Sequence, residues 1–387
     1  MNFSKWQRRA LYLFIFSINF EVYDPFNTGF FSIAKVTGLL YTISLLPNIS
    51  SFFSVYRIKF FIRYIWLFFL VLTLVSIFNI NYISTDFFDF TIFQNILIFW
   101  FIVNHERKDP GIIEKSFLFF VFGSIAMAIF YLLGIGIDYT GERISIFGDN
   151  ENAIGLRMCI STILILLSLI QNIFKMNKWR YLLLIPLPLM LSLMANTGSR
   201  VAFISLGVAF LLGVILIRAK NISRKIFVFI GAAFIGLFIW NYLMQTEVLV
   251  SRLNQTVNEG SLGGREGIWK QIIPLIEDNI FIGVGKTGYT LYTTAIFGKF
   301  ASPHNVIFEI LAYTGIVGLI IFLIFIGNLV WEAWKYYRNT KFILAVILFI
   351  PVIGLILSGQ ILGTKIGYVI FAFAASRVFC RKSTSKR

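Results

Sequence analysis

The sequence predicts an all-α polytopic membrane protein with about twelve transmembrane helices. Hydrophobic residues make up 58% of the 387-residue chain and charged residues 13%, and the mean hydropathy is +0.82. Soluble proteins are typically about 45–50% apolar and about 25% charged. Apolar runs of about 20 residues, the length that crosses a bilayer, recur along the chain. This composition excludes a soluble globular enzyme and a disordered chain.

Twelve apolar runs are the candidate spans. They lie at residues 8–23, 33–50, 60–80, 89–104, 116–137, 153–173, 180–197, 200–217, 225–243, 304–331, 341–358 and 361–379. The basic residues test this assignment, because cytoplasmic connections of membrane proteins are enriched in Lys and Arg. With the amino terminus inside, every cytoplasmic connection is basic, so both termini are predicted to be cytoplasmic. The net charge of +16 is therefore an orientation signal, and no nucleic-acid partner is expected.

The longest outward segment, residues 244–303, is predicted to lie between the ninth and tenth spans of a single integral membrane domain, residues 1–387. Within it, the stretch GREGIWKQIIPLIEDN spaces Trp269, Ile272 and Ile276 as an amphipathic helix does. We expect a short helix on the outer membrane surface, bent at Pro274.

Charged residues at the outward ends of spans need a reason, because a charge that faces lipid at a helix centre costs about 2.5–3.5 kcal/mol. These residues are Arg143, Asp149, Glu151, Arg157, Arg200, Arg265, Lys286, His304 and Glu309. Snorkelling or structural ion pairs would explain any one of them. However, most of them fall in four polar stretches, at 141–155, 195–203, 262–269 and 302–318. This grouping favours a functional site.

Three of these charges suggest specific roles. Arg157 and Glu309 each lie about one turn inside a predicted span, which leads to the hypothesis of a buried Arg157–Glu309 ion pair. Arg265 begins the surface helix, where free backbone N–H groups and a guanidinium together make a good anion site. Arg200 is the only charge of its hairpin, and it either snorkels or binds a ligand.

The two histidines have different surroundings. His304 lies at the outer end of the tenth span, where a neutral imidazole could accept a hydroxyl proton as a general base. His105 is expected to be solvated in a charged cytoplasmic loop. The outward side has no DxD or HExxH pattern, and the two cysteines form no metal-binding pair, so we expect no metal. The GVGKTG stretch at 283–288 lacks the first glycine of a phosphate loop and is interpreted as a tight turn.

The four stretches, in this order, resemble the superfamily of O-antigen ligases and Wzy-type polysaccharide polymerases. The matching motifs are the GDNENAIG turn, the TGSR hairpin, the GREGIW element followed by PLIEDNIFIGVG, and the PHN opening of a late span followed by TGIVG. The motifs lie between about 141 and 318, and the residues before them contribute hydropathy only.

This resemblance implies a membrane-embedded glycosyltransferase that works on the periplasmic side of a bacterial inner membrane. The donor would be a glycan carried on undecaprenyl diphosphate, so that no cofactor, nucleotide sugar or metal is needed. The acceptor would be a second glycan or lipid A–core, with membrane lipid, a flippase and a chain-length regulator as further partners. By resemblance, Arg200 and Arg265 would clamp the diphosphate, and His304 would orient or deprotonate the acceptor hydroxyl. The further substrate-binding candidates are Arg143, Asn152, Arg157, Asn305 and Glu309.

By this resemblance, the predicted function is that of a polymerase, which would extend one lipid-linked glycan with another. Two alternatives remain open. A ligase would move the finished glycan onto lipid A–core, and the acceptor's identity is not contained in the sequence. The outward segment is shorter than the outward domain of many ligases, which favours a polymerase. A transporter of lipid-linked glycan would also suit twelve spans, but transporters tend to show matched broken spans in two halves, and no such symmetry is present.

Overall fold

The computed structural model describes residues 5–26, 31–53, 59–79, 87–217, 222–259, 264–359 and 361–384. Its helices are α1 Lys5–Ser17, α2 Ile33–Leu45, α3 Ile49–Phe52, α4 Lys59–Phe78, α5 Phe90–Lys108, α6 Ile112–Leu132, α7 Glu151–Gln171, α8 Leu187–Asn196, α9 Arg200–Leu216, α10 Ile222–Leu243, α11 Glu247–Glu259, α12 Arg265–Asp278, α13 Gly285–Phe297, α14 Val306–Thr340, α15 Leu344–Ile347, α16 Phe349–Leu357 and α17 Lys365–Thr384. Two strands, β1 Ile137–Thr140 and β2 Arg143–Ile146, form a hairpin between α6 and α7. The chain forms two compact units. The first comprises Met1–Phe52, Asn104–Asn258 and Trp334–Gly354, and the second comprises Phe53–Val103, Glu259–Ala333 and Leu355–Arg387.

The helices support a membrane protein, with fewer clear spans than the hydropathy predicts. Within the described ranges, four helices are long and apolar enough to cross a membrane, at Phe61–Phe78, Ile112–Leu132, Glu151–Gln171 and Val306–Thr340. The pair Asn177–Leu184 and Leu187–Asn196 would make a fifth, broken span, bent by 40°. Helices also lie at the other predicted positions, but several are short or interrupted by 3-10 turns. The helical membrane architecture is confirmed, and the number twelve stays a prediction.

The predicted outward segment is itself helical. Residues 244–303 contain α11, α12 and α13 within their described part. The amphipathic stretch forms α12, with Pro274 inside the helix and Ile272, Leu275 and Ile276 buried. The predicted short helix is thus present. Its position on an outer membrane surface remains a prediction.

In the first unit, α7 packs against α6, α8 and α9. Almost all of its side chains are buried, so the polar ones need partners inside the protein. The Ser161 and Ser124 hydroxyl oxygens lie 2.6 Å apart, and Ser124 also donates to Asn19 Oδ1 at 2.7 Å. Asn19 Nδ2 in turn donates to the Phe120 carbonyl at 3.0 Å. This chain of hydrogen bonds links the segment after α1 with α6 and α7.

The expectation that His105 is solvated is wrong. Helix α5 continues to Lys108 and carries His105 with it, so that the imidazole is fully buried. Its Nδ1 lies 3.0 Å from the Tyr41 hydroxyl, and Phe52 packs edge-on against the ring. The residue has a packing role in this unit.

The β-hairpin was not predicted from the sequence. Its strands are antiparallel, with Ile137 paired to Ile146 and Thr140 paired to Arg143. Two four-residue strands are too short to give a clear alternation of apolar and polar side chains. Because β2 contacts α7, the hairpin fixes the position of Arg143 at the start of the first polar stretch.

In the second unit, α13 packs against α4, and a backbone interlock joins residues 280–284 to residues 312–316. Val284 N–H donates to the Ala312 carbonyl and Ile316 N–H donates to the Ile280 carbonyl, both at 2.8 Å. We call this pair of segments the glycine interlock. It brings the GVG of one motif against the TGIVG of another, which the sequence pattern alone does not reveal.

Two glycines make this approach possible. Gly315 has φ 60° and ψ −163°, which interrupts α14, and a Cβ there would lie 2.3 Å from the Phe281 carbonyl oxygen. Gly283 has φ +77°, and a Cβ there would lie 2.6 Å from the Thr314 nitrogen. L-residues with a side chain rarely adopt such backbone conformations. The predicted tenth span is therefore a broken helix.

We predict that Gly315→Ala destabilises the protein by about 2 kcal/mol or more, because the new methyl group meets backbone atoms at a positive φ. The measurement is denaturant or thermal unfolding of the purified protein in detergent. Gly327→Ala in the same helix is the matched control: nothing lies within 4 Å of its Cβ position. This control should be neutral or more stable, since Ala favours helix over Gly. Equal stability of both variants would contradict the interlock.

Candidate functional site

The first and second polar stretches pack together within the first unit. Asn150 caps α7 and accepts from the Asn152 N–H at 2.9 Å. A Cβ on Gly155 would lie 2.7 Å from Ser199 Cβ and 2.9 Å from Thr197 Oγ1. Glycine at this position therefore lets α7 contact the TGSR hairpin directly.

Arg143 joins these two stretches. Its Nε donates to the Thr197 carbonyl at 2.8 Å, its Nη2 donates to Asn152 Oδ1 at 3.1 Å, and its Nη1 lies 3.4 Å from Glu151 Oε2. The Arg143 and Glu151 side chains are 17% and 10% exposed. Arg143 and Asn152, two of the predicted substrate-binding residues, are thus direct neighbours.

Arg200 begins α9 and reaches to α11. Ser199 caps this helix by accepting from the Ala202 N–H at 3.4 Å. Arg200 Nη1 donates to the Thr256 hydroxyl and, at 3.4 Å, to the Arg252 carbonyl. The structure thus places Arg200 against residues that the sequence prediction did not include.

Arg252 is the residue that the sequence reasoning missed. Its Cγ lies 3.4 Å from the Cβ position of Gly198, and Arg143 Cγ lies at the same distance. Three arginines, Arg143, Arg200 and Arg252, therefore surround the Gly198 turn. The sequence signal for Arg252 was the helical spacing of Val248, Arg252 and Gln255, which puts them on one face of α11. In the structure, Val248 and Arg252 of this face lie against Gly198.

Arg157 forms its ion pair with Asp149, and this corrects the hypothesis of an Arg157–Glu309 pair. Both side chains are almost completely buried, and Arg157 Nη1 also donates to the Asn19 carbonyl at 2.7 Å. Burial raises the pKa of the Asp149 carboxyl, and the Arg157 guanidinium opposes this shift. Asp149, eight residues before Arg157 in the chain, is brought next to it where the hairpin turns into α7. The pair joins the start of α7 to the network around Asn19, which is a structural role.

The third and fourth polar stretches pack together within the second unit. Trp269 Nε1 donates to the Pro303 carbonyl at 2.8 Å, and its ring packs edge-on against Phe308. Arg265 starts α12 after Gly264 and donates to the Leu357 carbonyl at 3.5 Å. Leu262 and Gly263, which open the third stretch, lie outside the described residues. The GREGIW helix is thus fixed to the PHN loop through one tryptophan.

His304 lies in a strained turn at the start of α14. It has φ 49°, and its N–H donates to the Ser302 hydroxyl at 3.2 Å. A Cβ on Gly359 would lie 2.7 Å from His304 Cα, so this part of the chain can approach only where a glycine is present. Asn305 Oδ1 accepts from the Ile307 N–H at 2.9 Å, which caps the helix. A non-glycine residue with positive φ is uncommon and often marks a functional position.

Glu309 belongs to a different group of charges in the second unit. Its carboxylate lies near Tyr313, Lys286 and Asp89. Glu309 Oε2 is buried and has no hydrogen-bond partner within the described part of the chain. Lys286 and Asp89 form an ion pair beside it. Lys286, a candidate from charge placement alone, therefore has a defined partner.

Comparison with known proteins supports the resemblance. Residues 185–323 match the model of the O-antigen ligase family, Wzy_C. The match contains the second, third and fourth polar stretches, and the first stretch lies before it. The predicted relationship to the O-antigen ligase and Wzy superfamily is thus confirmed on this segment. No curated protein gives a significant match to the chain.

We predict that Arg157→Met costs about 3–5 kcal/mol of folding free energy, because it leaves the Asp149 carboxylate buried without its partner. The double variant Asp149→Asn/Arg157→Met should recover part of this loss. Arg8→Met is the control, because the Arg8–Asp109 pair at 2.7 Å has an arginine that is 39% exposed. An exposed pair contributes about 0–1 kcal/mol. Denaturant unfolding in detergent gives these values, and a double variant no more stable than Arg157→Met would contradict the buried pair.

Proposed function

We propose that the protein is a membrane glycosyltransferase that polymerises oligosaccharide repeat units carried on undecaprenyl diphosphate into a surface polysaccharide. The observation that carries this proposal is the Trp269–Pro303 hydrogen bond, which holds the helix of Arg265 to the loop of His304. A cation and a potential base are thereby kept on one rigid part of the chain. The match to the O-antigen ligase family supports a glycan-transferring enzyme.

The reaction follows from the chemistry of these groups. An acceptor hydroxyl oxygen attacks the anomeric carbon of the donor sugar, and the bond between that carbon and the diphosphate oxygen breaks. The hydroxyl proton passes to the His304 imidazole, and undecaprenyl diphosphate leaves with the bonding electrons. Arg200 and Arg265 stabilise the negative charge that develops on the diphosphate, an effect that is strongest where water is scarce. Guanidinium groups would supply this stabilisation without a metal ion.

The other candidates have supporting roles. Arg143 and Asn152 shape the approach to the Gly198 turn through their shared hydrogen bond. Asn305 holds the first turn of α14 and so positions His304. Arg157 has a structural role through its ion pair with Asp149.

The second candidate function is an O-antigen ligase, which would transfer the glycan to lipid A–core. The matching family is that of the O-antigen ligases, which favours this second function. The shorter outward segment favours the polymerase. In either case we place the enzyme in a bacterial inner membrane with both termini in the cytoplasm and the site on the periplasmic side. A flippase would supply the donor, and a chain-length regulator would act on the product.

We predict that Arg200→Lys, Arg265→Lys and His304→Ala each reduce polysaccharide transfer by about 10²–10³-fold, the usual effect of losing one group that stabilises developing charge. Lysine keeps the charge and loses the bidentate geometry. The measurement is a gel of surface polysaccharide from a deletion strain that carries each variant at wild-type protein level. Arg338→Lys, at an exposed position on α14, is the control and should retain full activity.

The same gel separates the two functions. A deletion strain with single-repeat bands indicates a lost polymerase, whereas accumulation of lipid-linked polymer with no lipid A-linked repeats indicates a lost ligase. Unchanged polysaccharide in the deletion strain, or full activity of His304→Ala, would contradict the proposal.

A further inference from the structure

The second unit contains a polar cleft that none of the roles above uses. It has a volume of about 380 Å³ and lies between the start of α5 and α13. Its lining residues are Phe88, Asp89, Phe90, Thr91, Lys286, Thr287, Thr290 and Leu291. Small-molecule sites typically measure about 300–1,000 Å³ and combine apolar walls with a few fixed polar groups. The cleft has both properties.

The charged groups of the cleft are held in place from two sides. Asp89 Oδ1 accepts from the Ile92 N–H at 3.0 Å, so Asp89 caps α5, while its other oxygen pairs with Lys286 Nζ. The Lys286 N–H donates to the Ser76 hydroxyl at 3.3 Å, and Gly285 permits this contact, since a Cβ there would lie 2.8 Å from Ser76 Cα. The Asp89 side chain is 6% exposed and that of Lys286 42%, so the ammonium faces the open cleft.

The Asp89–Lys286 ion pair determines which ligand charge the cleft can accept. The Lys286 ammonium would attract an anion, but the Asp89 carboxylate, which is in direct contact with that ammonium, would repel it. The nearby Glu309 carboxylate would add to the repulsion. A neutral hydroxyl group does not meet this conflict. It can donate to a carboxylate oxygen and accept from the ammonium or from a threonine hydroxyl. The cleft therefore suits a neutral ligand rich in hydroxyl groups.

The aromatic walls of the cleft narrow the range of suitable ligands further. Phe88 is 42% exposed and Phe90 61% exposed beside this polar floor. The negative faces of aromatic rings attract polarised C–H groups, such as those on the face of a sugar ring. Thr290 uses its hydroxyl hydrogen for the Lys286 carbonyl, at 2.9 Å, which leaves its oxygen as an acceptor. A pyranose ring has hydroxyl groups along its edges and C–H groups on its faces. It can therefore contact the polar floor and the aromatic walls of the cleft at the same time.

Helix α13 connects the cleft to the His304 loop. Lys286, Thr287 and Thr290 face the cleft, and Tyr289 on the same helix donates to the Ala301 carbonyl at 2.8 Å. Ala301 lies three residues before His304 in the chain. A sugar bound in the cleft would therefore be positioned by the same rigid helix that anchors the loop of the proposed base.

We propose that the Asp89–Lys286 cleft is a subsite for a neutral sugar residue of the glycan substrate, at a position away from the bond that reacts. This inference rests on the proposed function, because it names a part of the substrate of that enzyme. It gives Lys286 a role in recognising sugar, apart from the diphosphate chemistry, and it gives the nearby Glu309 carboxylate a role in repelling anions.

The test is a binding measurement on the full-length protein in detergent. The probe is the repeat-unit oligosaccharide released from the host's surface polysaccharide, observed by saturation-transfer NMR or calorimetry. Lys286→Met and Thr290→Val should each weaken binding by about 10- to 100-fold, the effect of losing hydrogen bonds to charged or buried groups. Thr290→Val keeps the ion pair and the side-chain shape, so it remains informative if Lys286→Met does not fold. Lys299→Met and Thr294→Val, at exposed positions just beyond the cleft, are the controls and should bind as the wild type does.

The outcomes separate the two proposals. Inorganic phosphate should not displace the oligosaccharide; displacement, unchanged binding by Thr290→Val, or no binding by the wild-type protein would overturn the subsite. If His304→Ala abolishes polysaccharide transfer while both cleft variants bind normally, the proposed function stands and the subsite falls. If the cleft variants alone lose binding while the deletion strain makes normal polysaccharide, the subsite stands and the proposed function falls.

Discussion

Polar groups inside an apolar environment must find their partners within the protein, and this constraint organises much of the structure. Where water is absent, each unsatisfied polar group costs several kcal/mol. The Asp149–Arg157 pair and the Asn19–Ser124–Ser161 network meet this requirement in the first unit. In the second unit, the buried Asp89 carboxylate accepts from the Ile92 N–H and pairs with Lys286. Burying a polar side chain costs free energy even when it is hydrogen-bonded. Buried polar groups that still have a hydrogen-bonding atom without a protein partner are therefore the first positions to examine for function.

A second recurring feature is the close approach of two backbone segments at a glycine. Gly155 lets α7 contact the TGSR hairpin, Gly315 and Gly283 form the glycine interlock, and Gly359 admits the His304 turn. Each of these glycines, or the segment it contacts, belongs to a motif that marks the resemblance to the O-antigen ligase superfamily. The motifs thus contain two kinds of residue: arginine and histidine with side-chain chemistry, and glycine that brings distant segments into contact. A search for charged residues finds the first kind only.

Hydropathy and helical spacing predicted the positions of the helices well, because burial in an apolar medium acts on every residue of a span. They also predicted the amphipathic helix α12. What they missed depends on contacts between distant segments. The partner of Arg157 is Asp149 because of a hairpin whose strands are too short to be recognised, and His105 is buried because α5 continues past the predicted end of its span. Arg252 lies beside Arg143 because α11 packs over the Gly198 turn, and the sequence does not show this packing.

The two groups of charges have different balances, and this difference bears on mechanism. Around the Gly198 turn, three arginines, Arg143, Arg200 and Arg252, lie together, and the Glu151 carboxylate pairs with Arg143. In the Asp89–Lys286 cleft the ammonium is neutralised by direct contact with a carboxylate. A glycan on a diphosphate has one strongly anionic end and a long neutral remainder. In the proposed reaction, a cluster of arginines would stabilise the leaving diphosphate, whereas the same cluster along the sugar chain would attract unrelated anions and add nothing to the transition state. An enzyme with the proposed function would gain specificity by confining its clustered cations to the end of the substrate where the bond breaks.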